Sequence, residues 1–168
     1  HIHLLEALKA SQEFDGKARM LTKVRSFLGN ARRRGIYWFD KWHASPYYTT
    51  SHAIMSMLDF DMDVIADALL WIVQTQQEDG SWGYYTQGTA EETAYCLQTL
   101  MLCRRQGFAV PIYVLERSYK YLQNSSEYRH ARYKPFWAGK TLYSPTWVNH
   151  TSVLSGLVLY EQQLGKPD

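Results

Sequence analysis

An all-α fold of stacked helical hairpins is predicted for this chain by three observations. Apolar residues recur at helical spacing along most of its length, no run alternates strictly enough to argue for a strand, and strong helix-start signals return at Ser45, Thr89 and Ser144. Those starts are 44 and 55 residues apart, and each interval holds a helix, a connection and a second helix. Repeated αα-hairpins stack into an open solenoid or close into an α/α barrel, a toroid of inner and outer helices. Closure is favoured here, because the cleanly capped helices begin beside aromatic clusters, as an inner ring with its N-termini around one mouth would.

Seven helices are expected in order. The first, from about Ile2 to Ala10, carries Leu4, Leu5 and Leu8 on one stripe; the second, from about Lys17 to Ala31, buries Met20, Val24, Phe27 and Leu28. The third opens at Ser45-Pro46, a serine N-cap before a proline at the first helical position, and runs to about Leu58. Asp59-Phe60-Asp61-Met62-Asp63 reads as a polar turn into the fourth, from about Met62 to Gln77. The fifth opens with the capping box Thr89-Ala90-Glu91-Glu92 and ends at Gln106 before Gly107. The sixth spans Pro111 to about Gln123. After a polar, aromatic loop from Asn124 to Tyr143, the seventh repeats the Ser-Pro start at Ser144-Pro145 and reaches about Leu164.

A chain of 168 residues that is 46% hydrophobic fits one domain with a core of its own. Eighteen basic residues against sixteen acidic ones leave a net charge of +2, which gives no electrostatic case for nucleic acid or an anionic membrane surface. The run Arg32-Arg33-Arg34, between the second helix and Gly35, suits cations at a helix C-terminus better than a phosphate site. Cys96 and Cys103 fall on one predicted helix, with Cα atoms roughly 10 Å apart at 1.5 Å per residue, beyond disulfide reach. Free thiols, no signal peptide and no apolar span long enough for a transmembrane segment point to the cytoplasm.

The unusual quantity is aromatic content: six Trp, thirteen Tyr and six Phe, many beside Pro, Gly or Ser rather than on apolar helix faces. Such rings either anchor a core or line a cavity whose π faces meet a cationic ligand. The most specific string is Trp71-Ile-Val-Gln-Thr-Gln76-Gln-Glu-Asp-Gly80-Ser-Trp82-Gly83, in which a helix ends in glutamines, turns at Asp79-Gly80 and at once places an indole. The glutamine has amide groups to bond an adjacent helix N-terminus, the glycine permits the turn, and the indole packs across the gap.

This string resembles the QW motif of terpene cyclases, with Gln76, Gly80 and Trp82 at the matching positions and a structural role. Three further segments resemble bacterial diterpene cyclases in the same order. They are Trp42-His43-Ala-Ser45-Pro46-Tyr47-Tyr48-Thr-Thr-Ser-His52, Gly88-Thr-Ala-Glu-Glu-Thr-Ala-Tyr95 and Phe136-Trp137-Ala-Gly139-Lys140-Thr-Leu-Tyr143-Ser-Pro145. His1-Ile-His3-Leu-Leu-Glu6-Ala-Leu8 looks like the helix that follows their catalytic motif. The chain departs from the class II pattern in lacking the Asp-x-Asp-Asp acid; the segment Asp59 to Asp63 has the wrong spacing. With about seven of the roughly twelve helices of a closed barrel, residues 1–168 look like the C-terminal part of such a domain. The missing N-terminal part, which would carry the acid, and a second helical domain are the implied partners.

The resemblance implies protonation and cyclisation of an isoprenoid diphosphate, geranylgeranyl diphosphate to a bicyclic copalyl- or labdadienyl-type diphosphate, in a dry aromatic pocket. Trp42, Tyr47, Tyr48, Tyr95, Trp137, Tyr143 and Trp147 are the expected cavity lining. His43 and His52 are candidates to support the acid, Lys140 to meet the diphosphate, and Asn149 and His150 weaker candidates to hold a base or water. Magnesium is implied by the family alone. A squalene-hopene-type or prenyltransferase-type barrel and a non-catalytic helical scaffold are the alternatives. A prenyltransferase would bind zinc, and Cys96, Cys103 and His150 do not form a compact ligand set.

Overall fold

The computed structural model of the chain describes residues 1–59, 62–85 and 87–165. These residues form α1 (Ile2–Ala10), α2 (Lys17–Asn30), α3 (Pro46–Met57), α4 (Met62–Gln74), α5 (Ala90–Arg105), α6 (Ile112–Asn124), a short α7 (Ser126–His130) and α8 (Thr146–Leu164). Between α7 and α8 two short strands, β1 (Trp137–Ala138) and β2 (Leu142–Tyr143), pair antiparallel with Trp137 opposite Tyr143. Of the predicted polar turn, Phe60 and Asp61 lie outside the described residues; Asp59 pairs with Lys9 at 3.0 Å.

The start signals act unequally. Ser45 caps α3 by accepting from the Tyr47 amide, with Pro46 in the first turn, as expected. Thr89 likewise caps α5 through the Glu92 amide at 3.2 Å, but only half of the predicted box forms. The Thr89 amide donates instead to Trp82 O at 3.0 Å, which frees the Glu92 carboxylate for other donors. Ser144 does not cap α8: its hydroxyl accepts from Asn149 Nδ2 at 3.1 Å, and Pro145 takes the N-cap position. The fourth helix stops at Gln74, three residues early, because the Gln77 amide turns to Ser81 O.

The helices stack in two layers. In the inner layer α1 packs on α3, α3 on α5 and α5 on α8; on the outer side α2 packs on α1, α4 on α3, and α6 on both α5 and α8. This is an arc of an α/α barrel, incomplete in the chain. α5 lies at its centre and is buried on all sides, so it lacks the polar face of a surface helix. Its polar side chains are therefore bonded; Thr93 Oγ1, for example, accepts from the Trp82 amide at 3.0 Å.

Two indoles tie the layers together. Trp82 is fully buried and donates Nε1–H to Ile72 O of α4 at 2.7 Å. Trp38 does the same to Leu28 O of α2, also at 2.7 Å, while its amide meets Thr50 Oγ1 of α3 at 3.0 Å. Gln76 Nε2 donates to Gly80 O and to Val114 O in the first turn of α6. Glutamine was expected to bond the exposed amides of an adjacent helix start; it reaches the start of α6 but donates to a carbonyl there instead. Gly80 has φ +89°, and a Cβ at that position would strike the Arg117 backbone.

Candidate functional site

The loop before α3 meets the β hairpin, and that meeting builds the site. Ala138 N donates to Trp42 O and Ala44 N to Phe136 O, each at 2.8 Å, so His43 pairs with Trp137 of β1 in an isolated antiparallel bridge. Asp40 shapes the approach by accepting the Trp42 and His43 amides on one carboxylate oxygen and the Thr49 hydroxyl on the other. The segment from Asn124 to Tyr143 was expected to be loop; strands two residues long carry too little pattern to be seen in a sequence.

Below this junction lies a cavity of about 640 Å³ between α1, the end of α2, the segment from Trp38 to Trp42, α3 and Trp137. Its walls include Phe27, Trp38, Phe39, Trp42, Tyr48 and Trp137, with Asp40, Lys41 and Thr49 and the rings of His3 of α1 and His52 of α3 among the polar groups. The His3 and His52 rings are 6.0 Å apart at their centroids. Burial holds the His52 imidazole below the usual histidine range, partly offset by its bond to Tyr48 O. That 2.9 Å contact identifies Nδ1 as the protonated nitrogen of the neutral ring, since a carbonyl only accepts. Nε2 keeps its lone pair.

Of the expected lining, Trp42, Tyr48 and Trp137 come together here. Tyr95 stands behind them, edge-on to Tyr48 at 5.2 Å and 5.3 Å from His52. The other three do not line the cavity. Tyr47 points to the outer layer, stacked at 4.7 Å on Trp71, which stacks in turn on Tyr37. Successive residues of a helix point about 100° apart, so adjacent tyrosines cannot share a face. Tyr143 lies on the exposed side of the hairpin over Gly139, and Trp147 is 76% exposed at the start of α8. Lys140 is exposed on the turn between the strands.

His43 was expected to support an acid in the cavity, but it sits one layer behind, 2% exposed. Its ring stacks on Tyr48 at 4.6 Å and meets Trp137 edge-on at 5.3 Å. Its Nδ1 lies 3.1 Å from both the amide and the carbonyl of Ser45, and its Nε2 lies 3.1 Å from Glu91 Oε1, so both nitrogens are engaged. Glu91, 1% exposed in the first turn of α5, also accepts from Trp137 Nε1 at 2.7 Å and from Asn149 Nδ2 at 2.7 Å. The N-terminal ends of α3, α5 and α8 thus converge on one carboxylate. Beside it, Glu92 accepts the Ser45 hydroxyl, the Thr89 hydroxyl and the Tyr84 amide, and burial pushes its carboxyl up. Asn149 therefore serves the network rather than a water site, and His150 is turned to Tyr133 and Tyr128.

Sequence reasoning missed His3, Asp40, Trp38 and Glu91. Glu91 had one available signal: it lies four residues before Tyr95, on the same face of a helix with no polar side. Cys96 and Cys103 are free and buried, and burial pushes the Cys103 thiol up to about 12, so both are inert packing groups. Among the described residues no group of three or more His, Cys, Asp or Glu is arranged to hold a metal ion. The residues present do not fit a protein-held magnesium. Among them, too, no helix is long and apolar enough to cross a membrane.

The helical barrel fold is shared with the terpene cyclases, and the chain matches them in sequence and structure. The profile of the squalene-hopene cyclase C-terminal domain covers residues 2–127, and the chain belongs to that family. It is 37% identical over 164 residues to a type B diterpene cyclase of Mycobacterium tuberculosis, covering 96% of this chain and 32% of that protein. It is 33% identical over 162 residues to a copalyl diphosphate synthase of Streptomyces anulatus, covering 91% and 29%. The solved ent-copalyl diphosphate synthase from Streptomyces platensis superposes with a TM-score of 0.75 at 32% identity, over 94% of this chain and 32% of that one. The chain spans about a third of the length of these relatives.

Proposed function

We propose that the chain is the C-terminal part of the barrel domain of a class II diterpene cyclase, which protonates and cyclises geranylgeranyl diphosphate. The observation that carries this is the aromatic cavity at the end of the arc. At about 640 Å³ it falls within the roughly 300–1,000 Å³ of small-molecule sites. Its Trp, Tyr and Phe walls stabilise positive charge by about 0.5–2 kcal/mol per well-placed ring. The names of the relatives support the diterpene substrate.

Within this assignment His52 supports the acid. Its ring lines the cavity and its Nε2 lone pair would accept a hydrogen bond from a carboxyl group brought by another part of the protein, holding that group's proton in place for transfer to the substrate. His43 holds the wall from behind. Lys41, whose Nζ lies 4.7 Å over the Trp42 ring, and the exposed Lys140 are the cations available to an anionic headgroup. Magnesium enters only as the counter-ion of the diphosphate, and no residue is assigned to it.

The test begins upstream of His1 in the open reading frame, where an Asp-x-Asp-Asp sequence is expected. The full-length protein, incubated with geranylgeranyl diphosphate and magnesium, is expected to release a bicyclic diphosphate. Unchanged substrate, or a reading frame that starts near His1 without an acid motif, would leave a helical scaffold as the better account.

A further inference from the structure

We propose that Glu91 is a positioning residue for the aromatic wall, acting through the indole N–H of Trp137; its catalytic consequence rests on the cyclase assignment above. Trp137 is anchored at its nitrogen alone among polar contacts of its side chain, and the anchor is a carboxylate oxygen 2.7 Å away. The ring itself is half-buried between the cavity and the ring of His43. A short bond to a buried anion does two things for such a ring. It fixes the orientation of the π face, and it polarises the indole so that its electron density, and hence its attraction for a cation, rises.

The donors around Glu91 show that the carboxylate is built for this. His43 Nε2 lies 3.1 Å from Glu91 Oε1, and an ionised carboxylate only accepts, so this nitrogen carries a proton and donates it; Nδ1 lies 3.1 Å from both the amide and the carbonyl of Ser45. Trp137 donates to the same oxygen and Asn149 to the other. Three N–H groups converge on a group that, ionised, only accepts. Each comes from a different part of the chain: the loop before α3, β1, and α8. Glu91 lines no part of the cavity, and no other carboxylate among the described residues touches one of its wall rings through a ring N–H.

Asn149 also provides a variant that should keep the fold. Its Oδ1 is buried without a partner. In Glu91→Gln the amide oxygen can still accept from Trp137 and His43, and the new NH₂ group can donate to Asn149 Oδ1 after an amide flip. The substitution thus removes the charge and keeps the shape.

The test has two arms. In the full-length protein labelled with nitrogen-15 at tryptophan, two-dimensional proton–nitrogen NMR reads the Trp137 indole N–H. It is expected far downfield and slow to exchange, unlike that of exposed Trp147; it should move upfield in Glu91→Gln with the contacts to His43 and Tyr48 retained. In Trp137→Phe, which keeps a ring and removes the N–H, the contacts to His43 should loosen. A Trp137 indole exchanging as fast as Trp147, or unmoved in Glu91→Gln, would overturn the proposal. In the full-length enzyme Glu91→Gln should lower kcat about tenfold with KM unchanged, the equivalent of one weakened cation–ring contact. Undiminished kcat would overturn the catalytic consequence. A wild-type enzyme with no cyclase activity would sink the functional assignment while leaving the NMR arm to stand or fall separately.

Discussion

Trp38 and Trp82, 44 residues apart, occupy equivalent places in successive hairpins: each donates its indole N–H at 2.7 Å to a carbonyl ten residues upstream and its amide at 3.0 Å to a threonine hydroxyl of the following inner helix. The same 44-residue step separates the caps Ser45 and Thr89. The two indoles should therefore matter alike. Trp38→Ala and Trp82→Ala are each expected to cost about 3–5 kcal/mol of stability by denaturant unfolding. A loss below 1 kcal/mol at Trp38 would show that the equivalence is only geometric.

Gly80 and Gly107 separate backbone strain from collision. Both have φ near +90°, but a Cβ at Gly107 meets nothing within 4 Å, whereas at Gly80 it meets the Arg117 backbone. Gly107→Ala should cost about 1–2 kcal/mol, the price of a left-handed residue with a side chain. Gly80→Ala should cost clearly more, because the neighbour is main chain of α6 and cannot rotate away. Equal melting temperatures for the two variants would contradict this.

His52 gives the chain a pH dependence of known sign. Its folded pKa lies below the ordinary 6.5 because of burial, so in the window just below 6.5 the unfolded chain binds a proton that the folded chain does not. Stability should fall as pH drops from 6.5 to the depressed value and level off beneath it. In His52→Gln this contribution disappears. The difference in denaturation midpoint between wild type and variant should therefore change between pH 7.5 and 5.5, against the wild type at the lower pH; a constant difference would refute the assignment.

Trp147, Leu154 and Val158 lie at helical spacing on one exposed stripe of α8. An apolar stripe of this kind promotes association. The chain should sediment as more than a monomer at micromolar concentration, and Leu154→Lys should shift it toward the monomer. A monodisperse wild-type monomer would remove the stripe from consideration.

Helix existence was legible because it depends on local chemistry. The spacing of Leu5 and Leu8, the serine at Ser45 before Pro46, the Thr89 cap and the Asp79-Gly80 turn all act within a few residues of themselves. The four ordered segments that resemble diterpene cyclases were legible for the same reason. Which aromatic residues share a cavity was less so. Tyr47 and Tyr48 are indistinguishable as neighbours in a string, yet a helix sends one to Trp71 and the other to the cavity. Ser144 and Ser45 carry the same Ser-Pro signature, yet Ser45 caps its helix whereas the Ser144 hydroxyl accepts from Asn149 and leaves the N-cap position to Pro145.

By itself, then, the amino-acid order determined that this protein is helical, hairpin-built and rich in rings placed near helix starts, because capping, turn and periodicity preferences are satisfied over short stretches of chain. Tertiary structure decided that His43, Glu91, Trp137 and Asn149 meet, and that Trp137 rather than Tyr143 or Trp147 walls the cavity. The reason is physical: a buried carboxylate must gather donors wherever the packed backbone brings them, and His43 and Asn149 lie 48 and 58 residues from Glu91, a separation over which residue order alone carries no geometric information.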